Sequence, residues 1–189
     1  MILSEILNIS LLEIIAGLGY LGGHLLLSRK KIAGWIIKII GGIAWIVFLF
    51  QNENDIFGAV TVVIVAAMMY GFYKWQTGKY NQRTKIDTFF EVLAASVALF
   101  MIVRFLLLGG YQLGPIFETM IVIAEIFATV LLARKIVYGW YFHIIMSLLA
   151  SALVIFINKD AAIILGILEA ASIYFYYQGI RNFSNKLEH

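Results

Sequence analysis

Two glutamates lie deep inside long apolar stretches of this sequence. Glu125 is near the middle of the fifth stretch and Glu169 is near the middle of the seventh. An ionisable group at mid-bilayer depth is costly and is taken as functional by default, so each carboxylate could pair with a cationic solute or carry a proton. The structural alternative is a carboxyl that is protonated, or hydrogen-bonded to a neighbour such as Thr129 or Ser172. Function is preferred for Glu125, and both interpretations stay open for Glu169.

Polar residues recur at helical spacing around Glu125. In the first apolar stretch, Tyr20 and His24 share a face, since residues three or four positions apart lie on one side of a helix. Glu125 and Thr129 occupy the corresponding positions in the fifth stretch. We interpret these faces as two unequal walls of one pocket. The complete stripes are Glu13, Gly17, Tyr20 and His24, and Glu118, Val122, Glu125 and Thr129.

Other stretches add polar and aromatic candidates. His143 and Ser147 lie one turn apart in the sixth stretch. Trp45, in the second stretch, is deep enough to stack on an aromatic ring, and Thr61 is a weaker candidate in the third. The predicted substrate-binding residues are therefore Tyr20, Trp45, Thr61, Glu125, His143, Ser147 and Glu169.

Some conspicuous residues are expected to be structural. Lys38 is about one turn into its stretch and can extend its amine to the headgroups. Trp35 and Trp140 fit an interfacial aromatic belt. His24 and His143 are expected at opposite-facing ends of the bundle, where they would form no metal pair. The sequence lacks HExxH, GxSxG and Walker motifs, so we predict no enzyme activity, catalytic residue, metal or cofactor.

The elements that must position these residues are membrane spans. The 189-residue chain is 62% hydrophobic and 13% charged, whereas soluble domains average about a quarter charged residues. A bilayer core requires roughly 20 apolar residues per helix, and helices satisfy the backbone without water. We therefore predict an all-α integral membrane fold with seven transmembrane helices. The predicted spans are 11–28, 33–51, 56–75, 88–108, 115–133, 138–157 and 161–180.

The basic residues predict the orientation. Most of the 14 lysines and arginines lie in the loops on one side. The positive-inside rule places the N-terminus outside and the C-terminus in the cytoplasm. We predict that the protein lies in the cell inner (plasma) membrane. Because these cations follow the topology, they do not indicate a nucleic-acid partner.

Two segments repeat each other. LLSRKKIAGW begins at residue 26 and LLARKIVYGW at residue 131, an offset of 105. The same offset pairs Asp55 with Asp160. We predict a single transmembrane domain over 1–186 with 3+1+3 parallel repeats, an arrangement that permits alternating access. The repeats are 11–75 and 115–180, the linker helix is 88–108, and residues 187–189 are interpreted as a tag remnant.

The chain resembles the PnuC-type vitamin transporters. AAMMYGFYKW at 66–75 is similar to the end of their third helix, and LLARKIVYGW at 131–140 is similar to the segment before their sixth helix. The resemblance covers nearly the whole chain. It implies a SWEET-like fold, facilitated diffusion of unphosphorylated B-vitamin precursors, and a functional link to a cytosolic kinase that traps the cargo.

The chain departs from the nicotinamide riboside carriers of that family. Those carriers have a Trp where this chain has His143, an Asp or Asn where it has Ser147, and a Gln where it has Thr61. Thiamine is therefore slightly favoured over nicotinamide riboside. Both carry a fixed positive charge on an aromatic ring, which suits Glu125 beside an aromatic side chain.

Three hypotheses follow. The first is a uniporter for a cationic water-soluble vitamin. The second is a proton- or cation-coupled carrier of the same fold, with Glu125 or Glu169 as the relay. The third is a non-transporting membrane module that scaffolds a partner or binds lipid. The lipid bilayer surrounds the protein in each case, and a homo-oligomer stays an open alternative.

Overall fold

A computed structural model describes residues 11–107, 113–156 and 163–184 of the chain. Within these ranges, no side chain is described for residues 81, 113–115, 153–156, 163–167 and 169. The described residues form seven α-helices and one short 3₁₀ turn, Lys79–Asn81. The helices are α1 Leu11–Ser28, α2 Ala33–Gln51, α3 Asp55–Gln76, α4 Lys85–Leu107, α5 Leu113–Ala133, α6 Tyr138–Phe156 and α7 Ile163–Ser184.

Each predicted span contains one helix, which confirms the all-α class. Five helical segments among the described residues are long and apolar enough to cross a bilayer, and the described residues contain no strand. Helices close their own backbone hydrogen bonds, which lipid cannot do. The qualifying segments are Leu11–Ser28, Ala33–Gln51, Asp55–Gln76, Lys85–Leu107 and Ile116–Ala133.

Glycines set the contact between α1 and α2. A Cβ added to Gly19 would lie 2.6 Å from Gly41 Cα, and one added to Gly41 would lie 3.0 Å from the Ala16 carbonyl oxygen. Small residues allow membrane helices to approach this closely, and close packing replaces the hydrophobic effect that lipid removes. The two helices that carry Tyr20, His24 and the Lys38 region are thereby held backbone to backbone.

Gly19→Ala is expected to destabilise the detergent-solubilised protein by about 1–3 kcal/mol, because the new methyl group meets backbone that cannot move aside. Gly22→Ala is the matched control, since its Cβ would lie at an ordinary 3.6 Å from Ile37 Cγ2. Thermal unfolding of both variants in one detergent measures the difference. Equal melting temperatures would contradict the proposed role of the Gly19–Gly41 contact.

The two similar decapeptides form the same turn. Lys30 and Lys135 have left-handed backbone angles, with φ of 58° and 55°. In each turn the lysine N–H donates to a leucine carbonyl three residues back, at 2.8 Å for Leu27 and 2.9 Å for Leu132. The shared sequence therefore specifies a shared connection between α1 and α2 and between α5 and α6.

The tryptophans after these turns pack in matching ways and are buried between helices. Trp35 covers Gly71 of α3, where a Cβ would lie 2.7 Å from its ring, and Trp140 covers Gly179 of α7. Both indoles have 0% exposure, so the prediction of a membrane-interface belt is wrong. The physical reason is that the glycine of the neighbouring helix leaves room for an indole inside the bundle.

The rings of both tryptophans also make similar contacts further along α3 and α7. Trp35 meets the ring of Trp75 edge-on at 5.8 Å, and Trp140 meets the ring of Phe183 edge-on at 5.7 Å. Gly71 and Gly179 are 108 positions apart (179 − 71), so this correspondence is shifted by three residues from the offset of 105. With the shift, Thr61 corresponds to residue 169. Asp160, the partner predicted for Asp55, lies outside the described residues.

A buried carboxylate ties the start of α4 to α3. Asp87 is fully buried and accepts hydrogen bonds from Lys74 Nζ at 2.8 Å, from Thr84 Oγ1 at 2.7 Å and from the Tyr70 hydroxyl. Next to it, Arg134 donates to Glu91 at 2.7 Å and so connects α4 with the turn after α5. The rest of α4 exposes large apolar side chains, as expected for a helix that faces lipid.

Candidate functional site

Glu125 lies at the centre of a buried polar cluster. Its Oε1 atom is 3.1 Å from Lys38 Nζ, and its Oε2 atom is 3.1 Å from His143 Nδ1. Thr129 Oγ1, one turn along α5, lies 3.5 Å from Oε1. Lys38 and His143 have 0% exposure and Glu125 has 6%. Helices α2, α5 and α6 therefore bring two opposite charges and an imidazole together away from the surface.

The prediction that Lys38 extends to the headgroups is wrong. Its side chain turns into the bundle, where Gly23 of α1 leaves the necessary space, because a Cβ on Gly23 would overlap Lys38 Cγ. The ammonium lies 5.5 Å from the centre of the Tyr20 ring, a cation–π distance. A glycine on one helix thus lets a lysine of the next helix reach the carboxylate of Glu125.

A second group of side chains completes the cluster. The Tyr176 hydroxyl is 2.9 Å from His24 Nδ1, and its ring stacks on His143 with centroids 5.1 Å apart. Ser147 Oγ lies 3.5 Å from the same hydroxyl. The rings of His24 and His143 are 4.6 Å apart, so the expectation that these histidines lie at opposite ends is wrong. Helices α1 and α7 therefore contribute to the same site.

The arrangement is suited to binding a polar solute. Lys38 and Glu125 compensate each other's charge. The Nε2 atoms of His24 and His143 are buried and have no hydrogen-bond partner in the structure, so each can donate to or accept from a bound molecule. Among the described side chains, no three His, Asp or Glu residues form a group that could hold a metal ion. Hydrogen bonding, ring contact and charge are the chemistry that this cluster offers.

The structure gathers four of the seven predicted binding residues. Tyr20, Glu125, His143 and Ser147 belong to the cluster through the contacts above. The list of predicted binding residues did not include Lys38 or Tyr176. Tyr176 carried no distinguishing sequence signal, because α7 contains several tyrosines.

The other three predicted residues have different positions. Trp45 is half-buried and stacks on Phe48 of the same helix, with centroids 5.0 Å apart. Thr61 donates its hydroxyl to the Phe57 carbonyl at 2.7 Å, within α3. The described contacts place neither in the cluster. Glu169 lies in α7, but its side chain lies outside the part of the chain that the structure describes.

Tyr176→Phe is expected to cost about 1–2 kcal/mol of stability, because it leaves the buried Nδ1 atom of His24 without its partner. It should also weaken cargo binding, since the His24 ring is no longer held in orientation. Tyr177→Phe is the control on the same helix, because that side chain is 62% exposed. Melting temperature and ligand affinity, measured in one detergent, test both effects. Identical behaviour of the two variants would contradict a role for the Tyr176 hydroxyl.

A known family matches nearly the whole chain. The family model described as nicotinamide mononucleotide transporter matches residues 10–182. This chain belongs to that family. Neither the curated proteins nor the solved structures that were compared with the chain include a match. Membership confirms the predicted PnuC-type resemblance and, with the apolar helices, supports a multi-pass membrane protein of a transporter family.

Proposed function

We propose that the chain is a carrier for a small cationic B-vitamin precursor, thiamine first and nicotinamide riboside second, that works by alternating access in the plasma membrane. The observation that carries this proposal is the cluster around Glu125, which α1, α2, α5, α6 and α7 build together from charged, imidazole and phenol groups. A buried carboxylate with aromatic neighbours is the chemistry that a cationic ring requires.

The proposed architecture is a SWEET-like 3+1+3 arrangement, in which α4 joins α1–α3 to α5–α7. Reciprocal contacts support it. Lys30 lies over the ring of Phe183 at 5.3 Å, and Lys135 lies over the ring of Trp75 at 4.8 Å. Trp75 Nε1 donates to the Leu132 carbonyl at 3.0 Å. Each turn lysine therefore contacts the third helix of the other unit, as expected of two units that close against each other at one end.

The same end carries most of the basic residues, so the proposed orientation places it in the cytoplasm and the N-terminus outside. In this orientation, the contacts of the turn lysines close the cytoplasmic end, and the cluster around Glu125 lies on their outer side. Release of the cargo requires the reciprocal contacts to open, which is the rocking movement that parallel repeats permit. A cytosolic kinase that phosphorylates the cargo is the proposed functional partner.

Two observations bear on the choice of cargo. The residues at 143 and 147 differ from the riboside pattern and favour thiamine. The description of the matching family favours a nicotinamide compound, so nicotinamide riboside is retained as the second candidate. Facilitated diffusion is the mode that the resemblance implies, and proton coupling is the alternative that the ion pair between Lys38 and Glu125 favours.

Uptake into liposomes tests the proposal. Purified protein should take up labelled thiamine or nicotinamide riboside down a concentration gradient, and an excess of the unlabelled compound should compete. Liposomes without protein give the background. Protein that is folded by thermal-unfolding criteria but transports and binds neither compound would remove the cargo assignment and leave the scaffold hypothesis in its place.

A further inference from the structure

A polar cavity of about 400 Å³ lies between the ends of α1 and α7, away from the cluster around Glu125. The four residues that line it are all polar, namely Arg29, Gln178, Arg181 and Asn182. Arg29 directly follows α1, and the other three residues belong to the last two turns of α7. The cavity is therefore shared between the first helix of one three-helix unit and the last helix of the other.

The lining of this cavity has the chemistry of a phosphate site. Each of the two guanidinium groups is a planar fork of N–H donors that matches two oxygens of a phosphate. The amide groups of Gln178 and Asn182 carry further N–H donors, of which Asn182 Nδ2 uses one on the Ser28 carbonyl at 2.9 Å. Helix C-termini carry partial negative charge, so attraction of an anion here depends on the arginines and not on the backbone.

Arg29 and Arg181 also belong to the basic residues from which the orientation is predicted. That role depends only on the charge and on the side of the membrane. It does not require two arginines and two amides to line one cavity. A basic pocket between transmembrane helices on the cytoplasmic side is instead typical of a site for an anionic lipid headgroup.

The helix faces that lead to the cavity resemble a membrane interface. Tyr177 and Tyr174 lie one and two turns before Arg181 on the same face of α7, and they are 62% and 61% exposed. Tyrosine is enriched at the level of the headgroups. On α1, Leu18 lies about three turns before Arg29 and is 57% exposed. A phosphate in the cavity can thus belong to a lipid whose acyl chains lie along these faces.

We propose that this cavity binds a phosphate group that bridges α1 and α7 and thereby stabilises the closed cytoplasmic end. The part that concerns closure rests on the proposed function. Lys30, next to Arg29, donates to the Asn182 carbonyl and lies over the ring of Phe183 at 5.3 Å. Opening of these contacts moves Arg29 away from Arg181. A phosphate held by both arginines therefore binds the closed state better and shifts the population toward it.

Two probes distinguish a lipid headgroup from a free phosphate ester. Phosphatidylglycerol and glycerol 3-phosphate are each added to the delipidated full chain in a neutral detergent, without cargo, and phosphatidylcholine is the control lipid. At a concentration tenfold above the Kd, a bound probe should raise the melting temperature by about 3–6 °C. A rise with phosphatidylglycerol alone identifies a lipid headgroup, and a rise with glycerol 3-phosphate identifies a free phosphate ester. No rise with either probe, or an equal rise with phosphatidylcholine, overturns the proposal.

Paired substitutions show whether the probe occupies this cavity. Arg29→Gln with Arg181→Gln should weaken binding of the effective probe about tenfold or more. Lys31→Gln with Lys79→Gln is the matched control, because it removes the same charge from exposed positions at the same end and should leave the affinity unchanged. Arg29→Lys with Arg181→Lys keeps the charge but loses the forks, and should also bind more weakly than the wild-type protein. This pair decides if the glutamine pair does not fold. Wild-type affinity in the arginine variants overturns the proposal.

Uptake into liposomes tests the effect on the cytoplasmic end. The effective probe, as phosphatidylglycerol in the bilayer or glycerol 3-phosphate on both sides, should slow uptake of labelled thiamine or nicotinamide riboside about fivefold. The Arg29→Gln, Arg181→Gln protein should escape this effect and the lysine control should not. The comparison is between variants, because anionic liposomes also concentrate cations at their surface. Equal slowing in all proteins overturns the link to closure. If neither cation is transported, the proposed function fails, while the melting experiment still decides the phosphate site.

Discussion

Glu125→Gln is expected to lower the uptake of a cationic cargo about a hundredfold and to destabilise the protein in the same step. Cargo uptake falls because the substitution removes the charge-assisted contact between Glu125 and the cationic cargo. Removing one partner of a buried charge pair typically costs several kcal/mol of binding free energy. Stability falls because Lys38, 0% exposed and 3.1 Å from the lost carboxylate oxygen, loses the carboxylate that compensates its charge. Breaking a buried pair in this way costs about 3–5 kcal/mol.

A double variant separates the two effects. Adding Lys38→Met to Glu125→Gln also removes the buried cation, so the melting temperature should return toward that of the wild-type protein. Uptake should not return, because the carboxylate is still missing. Glu53→Gln, in an exposed turn, is the control that should change neither quantity. A stable Glu125→Gln single variant with wild-type uptake would show that the buried pair is neither structural nor part of the cargo site.

Asp87→Asn is expected to have the second-largest effect and to act on stability. The substitution keeps the shape of the side chain but removes the charge that Lys74 faces at 2.8 Å, and both side chains are buried. Loss of about 3–5 kcal/mol is the usual cost of an unpaired buried charge. Because Asp87 holds Thr84 as well, the connection before α4 should also open to proteases more readily.

Glu91→Gln is the control for Asp87→Asn. Glu91 lies on the same helix as Asp87 and pairs with Arg134 and Arg83, but its side chain is 32% exposed. An ion pair in contact with solvent contributes only about 0–1 kcal/mol. Thermal unfolding and limited proteolysis of both variants should therefore show a large change for Asp87→Asn and a small one for Glu91→Gln. Equal effects would mean that burial does not determine how much the Lys74–Asp87 pair at the start of α4 contributes to stability.

Sequence reasoning worked best where a property belongs to one helix alone. Helix α2 begins and ends at the predicted residues, and α1 ends at the predicted Ser28, because span length and hydropathy depend on the bilayer and on the segment itself. The repeated decapeptides form two equal turns for a similar reason. A turn is a local structure, and Lys30 and Lys135 adopt the same left-handed conformation.

The same reasoning failed where a neighbouring helix decides the direction of a side chain. Lys38 was placed at the headgroups from its depth alone, but Gly23 of α1 opens a path inward. Trp35 was assigned to the interface for the same reason, yet Gly71 of α3 accommodates its ring inside the bundle. In each case a single glycine on the neighbouring helix let the long side chain point into the bundle. The sequence around the side chain does not indicate which glycine of another helix will face it.

The amino-acid sequence by itself determined that this chain is a helical membrane protein of a vitamin transporter family, and that Glu125 and Glu169 lie deep in apolar stretches. Tertiary structure decided what Glu125 meets. Helix packing brings Lys38 and His143 to within 3.1 Å of its two oxygens, from positions 87 residues before and 18 residues after it in the chain. The physical reason is that lipid fixes the length and polarity of each span, while the partners of a buried charge depend on contacts between helices.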